Sequence, residues 1–166
     1  MKVIWRLPSA RETESLGVAL ARHCPWDERE PRLIFLSGEL GAGKTTLAAA
    51  LLQALGVEET VRSPSYALIE TYAARGGEAV HIDLYRLHGA EELQQLGLRD
   101  YLNGHTLLLV EWPERAGGAL PRPDLAVRLE STPEDGGAGR KACIEARSSA
   151  GEAWLGLTRG DLPNQI

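Results

Sequence analysis

The pattern of apolar and polar residues along the chain alternates between short apolar runs, typical of strands, and segments with the period of an amphipathic helix. The runs predict strands at residues 2–7, 32–37, 66–72, 79–86, 105–112, 124–131 and 140–148. Helices are predicted at residues 9–23, 44–55, 90–96 and 99–103. This order of elements indicates an α/β fold with a mixed, partly parallel central sheet flanked by helices.

Local signals support several of these boundaries. Ser9 with Glu12 three residues later forms a capping box at the start of the first helix, and Gly56 closes the second. The residues 75–78 predict a turn that joins two antiparallel strands. The last two strands flank the loop 133–140, so the final third of the chain is predicted to be a β-hairpin at the sheet edge.

The segment SGELGAGKTT, residues 37–46, lies between a predicted buried strand and a predicted helix. Gly38, Gly43, Lys44 and Thr45 satisfy GxxxxGK(S/T), a phosphate-binding loop whose backbone N–H groups surround phosphate oxygens. The lysine supplies charge to the β and γ phosphates, and the threonine hydroxyl is a ligand for Mg²⁺. The predicted nucleotide-binding residues are Gly38, Glu39, Leu40, Gly41, Ala42, Gly43, Lys44, Thr45 and Thr46.

A phosphate loop also needs a carboxylate at a neighbouring strand end to hold Mg²⁺. Glu111 follows the apolar run 107–110, at the place where open parallel sheets put ligands. Asp83 is the second candidate, but it alternates with His81 and Tyr85 along an extended segment. A solvated residue on the face of a strand is therefore the alternative interpretation of Asp83.

Length, composition and charge limit the classes of function. The 166 residues, with 43% apolar and 25% charged residues, predict one soluble domain over residues 1–166. The net charge of −5 argues against strong direct binding of nucleic acid. With no apolar run near the roughly 20 residues of a membrane span, and no signal-peptide pattern at the start, we expect a cytoplasmic protein without a membrane.

Motifs that the sequence lacks limit the choice of ligand for the phosphate loop. The two cysteines and four histidines show no metal-finger spacing, so a zinc or redox site is not predicted. Lysine occurs only at positions 2, 44 and 141, which leaves no NKxD motif, and DxxG and LSGGQ are also missing. Guanine-specific GTPases and ABC-type ATPases are thereby disfavoured, and ATP is the expected nucleotide.

Five segments together resemble one family. The loop GELGAGKTT, SPSYALIETY (63–72), HIDLYRL (81–87), EELQQLGLRDYL (91–102) and LVEWPERA (109–116) are similar to the TsaE (formerly YjeE) family of bacterial P-loop ATPases. That family acts in the synthesis of N6-threonylcarbamoyladenosine at position 37 of tRNAs reading codons that begin with A. The resemblance implies ATP/ADP and Mg²⁺ as cofactors, and the TsaD and TsaB proteins, which transfer the threonylcarbamoyl group, as partners.

The resemblance also implies roles for particular residues. Thr45 and Glu111 resemble the family's Mg²⁺ ligands, and Glu111 with Asp83 the acids needed for hydrolysis. Thr13 and Trp112 resemble residues beside the nucleotide, with a helix-surface threonine and a core aromatic as the alternatives. The predicted switch, which senses the γ phosphate or a partner, is Ser63, Pro64, Ser65 and Tyr66, where Ser65 replaces the family's usual threonine.

Two other classes of function stay open on the sequence. A small-molecule kinase shares the phosphate loop, but it needs an acceptor pocket and an arginine-rich lid, and the arginines at 115, 122 and 140 are scattered. A nucleotide-dependent binding module without turnover has the same loop and the same acids. Release of phosphate from ATP by the purified protein, with its partners present, distinguishes the ATPase from this binding module. The isolated chain is expected to hydrolyse ATP slowly, because no arginine-finger signature is identifiable.

Overall fold

A computed structural model of the chain describes residues 1–64, 66–132, 139–163 and 166. Within these residues, one sheet is formed by the strands β1 (Lys2–Leu7), β2 (Arg32–Ser37), β3 (Ile69–Ala74), β4 (Gly77–Asp83), β5 (Thr106–Glu111), β6 (Leu125–Thr132) and β7 (Gly139–Ala146). The helices are α1 (Ala10–Arg22), α2 (Lys44–Ala54), α3 (Ala90–Gln95) and α4 (Ser149–Asp161), with 3₁₀ turns at Leu98–Tyr101 and Pro113–Ala116. The described part of the chain contains no helix long and apolar enough to cross a membrane.

The strands lie in the order β1-β7-β6-β2-β5-β4-β3. The central strands β6, β2, β5 and β4 run parallel, whereas β1–β7, β6–β7 and β3–β4 are antiparallel pairs. The predicted α/β fold with a mixed sheet is therefore confirmed. Since parallel strands end at the same edge of a sheet, the ends of β2, β4 and β5 meet on one side of the molecule.

Two apolar cores cover the two faces of this sheet. On one face, side chains of α1, α2 and α4 pack on alternate residues of the central strands, among them Leu107 and Leu109 of β5. On the other face, the neighbouring residues Leu108 and Val110 pack with α3 and the 3₁₀ turns. The near-continuous apolar composition of β5 follows from this burial on both faces.

The ends of the elements follow local chemistry. Ser9 and Glu12 make the predicted capping box at the start of α1. β3 begins at Ile69 rather than at residue 66, because Leu68 adopts a φ of 63° and its N–H donates to the Pro64 carbonyl, which closes a turn. A left-handed leucine cannot continue a strand.

The hairpin predicted for the final third forms as β6 and β7, but its place at the sheet edge is wrong. β1 pairs with β7 over six residues and so lies outside the hairpin. Trp5 and Leu7 of β1 are buried by this position, which accounts for the pairing. The hairpin that does reach an edge is β3–β4. Residues 133–138 of the predicted loop lie outside the described residues, and one domain over residues 1–166 stays a prediction.

Helix α4 was not predicted from the sequence. Ser148 caps it by accepting a hydrogen bond from the Gly151 N–H at 2.9 Å, and Trp154 and Leu155 are fully buried. The indole N–H of Trp154 donates to the Leu20 carbonyl of α1 at 2.9 Å. The glycines and threonine of α4 are poor helix formers, so its stability depends on this packing rather than on propensity.

Asp124 is a buried carboxylate that ties three elements together. Its Oδ2 accepts a hydrogen bond from the Leu33 N–H of β2 at 3.0 Å, and its Oδ1 accepts one from the Ser148 hydroxyl that caps α4. Its carbonyl accepts a further bond from the Arg147 N–H at 2.8 Å. A single side chain therefore joins the strand before the glycine loop to the terminal helix.

Replacement of Asp124 by alanine leaves the Leu33 N–H and the Ser148 hydroxyl without their acceptor. We expect D124A to lower the free energy of unfolding by about 1–3 kcal/mol, the usual cost of an unsatisfied buried group. Urea unfolding followed by circular dichroism measures the change, with the exposed Glu14→Ala as control, expected within about 0.5 kcal/mol. Equal stability of D124A and the control contradicts this role.

Candidate functional site

A cleft of about 370 Å³ lies where β2, β4 and β5 end. The loop between β2 and α2 forms one side of it, and the segments that follow β4 and β5 form the other. Its lining includes Lys44, Thr45, Ser63, Asp83, Tyr85, Arg86, Glu111 and Trp112. Most of the residues singled out from the sequence therefore meet at one edge of the sheet.

The glycine loop has a backbone shape that side chains would obstruct. Gly38 has a φ of 138°, and a Cβ there would lie 2.3 Å from the Leu129 carbonyl oxygen of β6. Gly43 has a φ of 102° and precedes α2, whose start has no capping side chain among the described residues. The first N–H groups of α2 are thus directed at the cleft, the arrangement that binds phosphate oxygens.

Lys44 is 4% exposed, and its ammonium group bonds to the loop itself. Nζ donates to the carbonyls of Gly38 at 2.7 Å and Glu39 at 2.8 Å, and it lies 4.0 Å from the centre of the Trp112 ring. Burial lowers the pKa of Lys44, and the nearby carboxylates of Glu111, Glu114 and Asp83 partly oppose that shift. The buried cation is therefore held by dipoles and an aromatic face.

Arg140 of β7 donates hydrogen bonds to the glycine loop, a contact that was not predicted from the sequence. Its Nε donates to the Ala42 carbonyl at 3.1 Å, and its Nη2 donates to the Gly41 carbonyl at 3.0 Å. The carbonyls of the loop are thereby drawn toward the guanidinium. No local pattern in the sequence links Arg140 to a loop 98 residues earlier.

Thr45, Glu111 and His81 form a buried chain of polar contacts. The Thr45 hydroxyl lies 3.0 Å and 3.1 Å from the two carboxylate oxygens of Glu111, and His81 Nε2 lies 2.8 Å from Glu111 Oε1. Glu111 is 2% exposed and His81 is not exposed at all. The sequence motif HIDLYRL contains His81, but nothing in it indicates a contact with Glu111.

Asp83, at the end of β4, is also buried, so the alternative of a solvated face residue is wrong. The Ser63 hydroxyl donates to its Oδ2, and the Tyr85 N–H donates to Oδ1 at 2.9 Å. The register of β4 and β5 places Asp83 beside Glu111. Two carboxylates thus stand next to each other at the cleft, each already held by hydrogen bonds.

Trp112 follows β5 with a left-handed backbone, φ 57°, and its N–H donates to the Leu36 carbonyl at 3.1 Å. Its ring packs on that of Tyr85, with the ring centroids 4.9 Å apart. The Arg115 guanidinium lies over the Tyr85 ring, 5.6 Å from its centre. A left-handed conformation is costly for a bulky residue. Here it turns the indole from the end of the strand toward Lys44.

Of the predicted switch residues, Ser63 lines the cleft. Ser63 contacts Asp83, Pro64 is buried, and Tyr66 is 88% exposed, with the Arg86 guanidinium 4.7 Å from the centre of its ring. Ser65 lies outside the described residues. Sequence reasoning did not identify Arg86 as part of the cleft, although the motif HIDLYRL contains it.

Gly38, Glu39 and Ala42 of the loop do not line the cleft, and neither does Thr13. It is buried in α1, and its methyl group would lie 3.7 Å from a Cβ built on Gly43. Its position beneath the loop excludes the alternative of a helix-surface threonine. A contact between Thr13 and a nucleotide stays a prediction.

The donor set suits a hard cation. The oxygens of Thr45 and Glu111 adjoin each other, and oxygen ligands are those that Mg²⁺ prefers. Among the described residues, no group of three histidine, cysteine, aspartate or glutamate side chains is arranged to hold a metal ion. The arrangement agrees with Mg²⁺, which commonly takes one or two protein ligands and completes its shell with phosphates and water.

Comparison with known proteins identifies relatives of the whole fold. A crystal structure of YdiB from Bacillus subtilis superposes with a TM-score of 0.78 and 26% identity, covering 98% of this chain and 97% of that one. The protein named tRNA threonylcarbamoyladenosine biosynthesis protein TsaE from Bacillus subtilis is 31% identical over 132 residues, 79% of each chain. Its namesake from Rickettsia conorii is 36% identical over 126 residues, 75% of this chain and 69% of that protein.

A third relative of the same name, from Haemophilus influenzae, is 45% identical over 98 residues. That match covers 59% of this chain and 62% of the relative, less than two thirds of its length. The model of the family described as "Threonylcarbamoyl adenosine biosynthesis protein TsaE" matches residues 7–142. This range includes the glycine loop, Asp83, Glu111 and Trp112. The chain therefore belongs to the TsaE family.

Proposed function

We propose that the chain binds ATP with Mg²⁺ in this cleft and hydrolyses it in support of N6-threonylcarbamoyladenosine formation on tRNA. The observation that carries the proposal is the meeting of Lys44, Thr45, Glu111 and Asp83 at the carboxyl ends of β2, β4 and β5. The names of the relatives support the link to tRNA modification. This role requires a cytoplasmic protein, because ATP and tRNA are found in the cytoplasm.

Each group in the cleft has a part in this reaction. The N–H groups at the start of α2 hold the phosphates. The Lys44 ammonium group, which donates to the Gly38 and Glu39 carbonyls, donates to β and γ phosphate oxygens instead when ATP binds. Thr45 and Glu111 are the residues that would hold Mg²⁺, which would neutralise charge developing on the phosphates. Asp83 accepts a hydrogen bond from the attacking water, whose oxygen bonds to the γ phosphorus as the bond to the β–γ bridging oxygen breaks; Asp83 takes up the proton that the water loses and passes it to solvent. The products are ADP and phosphate.

The proposed partners are the TsaD and TsaB proteins, which carry out the transfer to tRNA. An indirect relation to tRNA agrees with the net charge of −5. Tyr66 is the group best placed to respond to a bound protein, because its side chain is exposed and its ring contacts Arg86 of the cleft. It also lies close in sequence to Ser63, whose hydroxyl donates to Asp83. Contact of a partner at Tyr66 would position Ser63 and Tyr66 at the γ phosphate and raise the rate of ATP hydrolysis.

Substitution of Lys44 by alanine removes the cation of the loop while the N–H groups of α2 remain. We expect the affinity for ATP to fall about 10- to 100-fold, since a hydrogen bond to a charged group contributes about 1.5–3 kcal/mol. Calorimetric titration measures the change. Lys141→Ala, which removes a lysine outside the cleft lining, is the matched control, and an unchanged affinity in K44A rules out the phosphate-loop assignment.

The two acids are expected to act on hydrolysis more than on binding. Glu111→Ala and Asp83→Ala should keep substantial affinity for ATP and lose about 10²-fold or more in turnover, because water and charge placement stabilise the transition state above the ground state. Phosphate release at saturating ATP and Mg²⁺ measures this. Glu78→Ala, an exposed carboxylate on the same strand as Asp83, is the control. Wild-type turnover in either variant removes that residue from the mechanism.

Tyr66→Ala tests the switch. Loss of its ring contact with Arg86, worth about 1 kcal/mol, should reduce stimulation by the partners about fivefold. Affinity for ATP should change by roughly twofold or less, because Tyr66 does not belong to the phosphate cradle. Phosphate release with and without TsaD and TsaB gives the stimulation. Tyr66→Phe keeps the ring and should behave as wild type; an equal loss in both variants contradicts the ring's role.

A further inference from the structure

We propose that His81 is a positioning residue for the reaction: it fixes the carboxylate of Glu111 in the orientation in which Glu111 and Thr45 together hold the cation. The inference rests on the proposed function, since it assigns a role within the same site. It adds a residue that lies beneath the cleft and does not line it.

His81 occupies an apolar layer of the structure. It lies on β4 opposite Leu109 of β5, on the face of the sheet where Ala79 and Leu107 belong to the core beneath α2. Its exposure is 0%. The neighbours Ala79, Leu107 and Leu109 suit an aliphatic residue at position 81. On the other side His81 pairs with Glu70 of β3, whose carboxylate accepts a hydrogen bond from the Tyr72 hydroxyl.

The imidazole is only half satisfied by its surroundings. Nε2 lies 2.8 Å from Glu111 Oε1, and because an ionised carboxylate can only accept, Nε2 donates. Nδ1 has no hydrogen-bond partner among the described residues. An unpaired nitrogen in a buried layer destabilises the fold, so the stability of the protein does not account for the histidine. Within the described part of the chain, its one hydrogen bond is with Glu111.

That contact restrains a side chain that is otherwise free to turn. The terminal torsion of glutamate is broad, and the Thr45 hydroxyl, which approaches both carboxylate oxygens at 3.0 Å and 3.1 Å, is itself a rotor. The ring of His81 is held by packing on a central strand and bonds one oxygen, Oε1. The hydrogen bond at Oε1 therefore restrains the carboxylate from the interior of the sheet, while Oε2 lies 3.1 Å from the Thr45 hydroxyl and has no bond to His81.

The test uses four variants with matched predictions. His81→Leu fills the space and removes the donor, whereas His81→Gln carries an N–H that reaches the position of Nε2. His81→Asn carries one that falls short of Glu111. Val80→Ala, on the opposite face of the same strand, is a control for loss of core packing, because Val80 is buried in the other core and does not line the cleft.

Three readouts are measured on the full chain: turnover of ATP, calorimetric affinity for ADP with and without Mg²⁺, and the melting temperature. We expect H81L and H81N to lose about 10- to 100-fold in kcat, the usual effect of removing a partner of a metal ligand. We also expect the gain in ADP affinity that Mg²⁺ gives the wild type to shrink toward unity. H81Q should recover both, and H81L should melt no lower than wild type.

Other results overturn the proposal. If H81L keeps the kcat and the Mg²⁺ gain of the wild type, His81 has no part in positioning Glu111. If H81L and H81Q lose activity equally and in proportion to a lowered melting temperature, as V80A does, the histidine is a packing residue. A wild-type chain that neither binds nor hydrolyses ATP overturns the proposed function, and the role of His81 with it; the first two results leave the proposed function standing.

Discussion

The hydrogen bond between Thr45 and Glu111 is the contact on which the site depends, because it joins the first turn of α2 to the end of β5. Parallel pairing of β2 with β5, in a register that sets Leu36 beside Glu111, brings the two within reach. The pairing of β5 with β4 then sets Asp83 beside Glu111. The phosphate loop, both acids and the tryptophan after β5 take their places from these two registers.

The same site concentrates groups that the fold alone would not favour. A buried lysine, two buried carboxylates, a half-satisfied histidine and a left-handed tryptophan all lie within or beneath one cleft. Two of these groups have compensating partners: the loop carbonyls and the indole for Lys44, and the Ser63 hydroxyl for Asp83. The apolar cores on the two faces of the sheet supply the stability that offsets this local cost.

Prediction from the sequence placed residues correctly in the fold where the signal is local. The glycine loop lies between β2 and α2, and Glu111 ends β5, as their sequence patterns indicate. Their roles in binding and hydrolysis stay predictions. Prediction did not succeed where a contact joins distant residues. The place of β1 outside β7, the support of the loop by Arg140 and the contact of His81 with Glu111 all depend on strand register. Helix α4 was not predicted, because its sequence has a weak helix propensity and tertiary packing stabilises it.

The central claim is that this cleft hydrolyses ATP as one component of a tRNA-modifying assembly. The most direct measurement is the rate of phosphate release from ATP by the wild-type chain with Mg²⁺, alone and with TsaD and TsaB added. We predict slow release by the chain alone, well below roughly 1 per second, and a clear increase with the partners. A rate that stays at the value of the isolated chain, with association of the proteins verified separately, contradicts the claim and favours a nucleotide-dependent binding module.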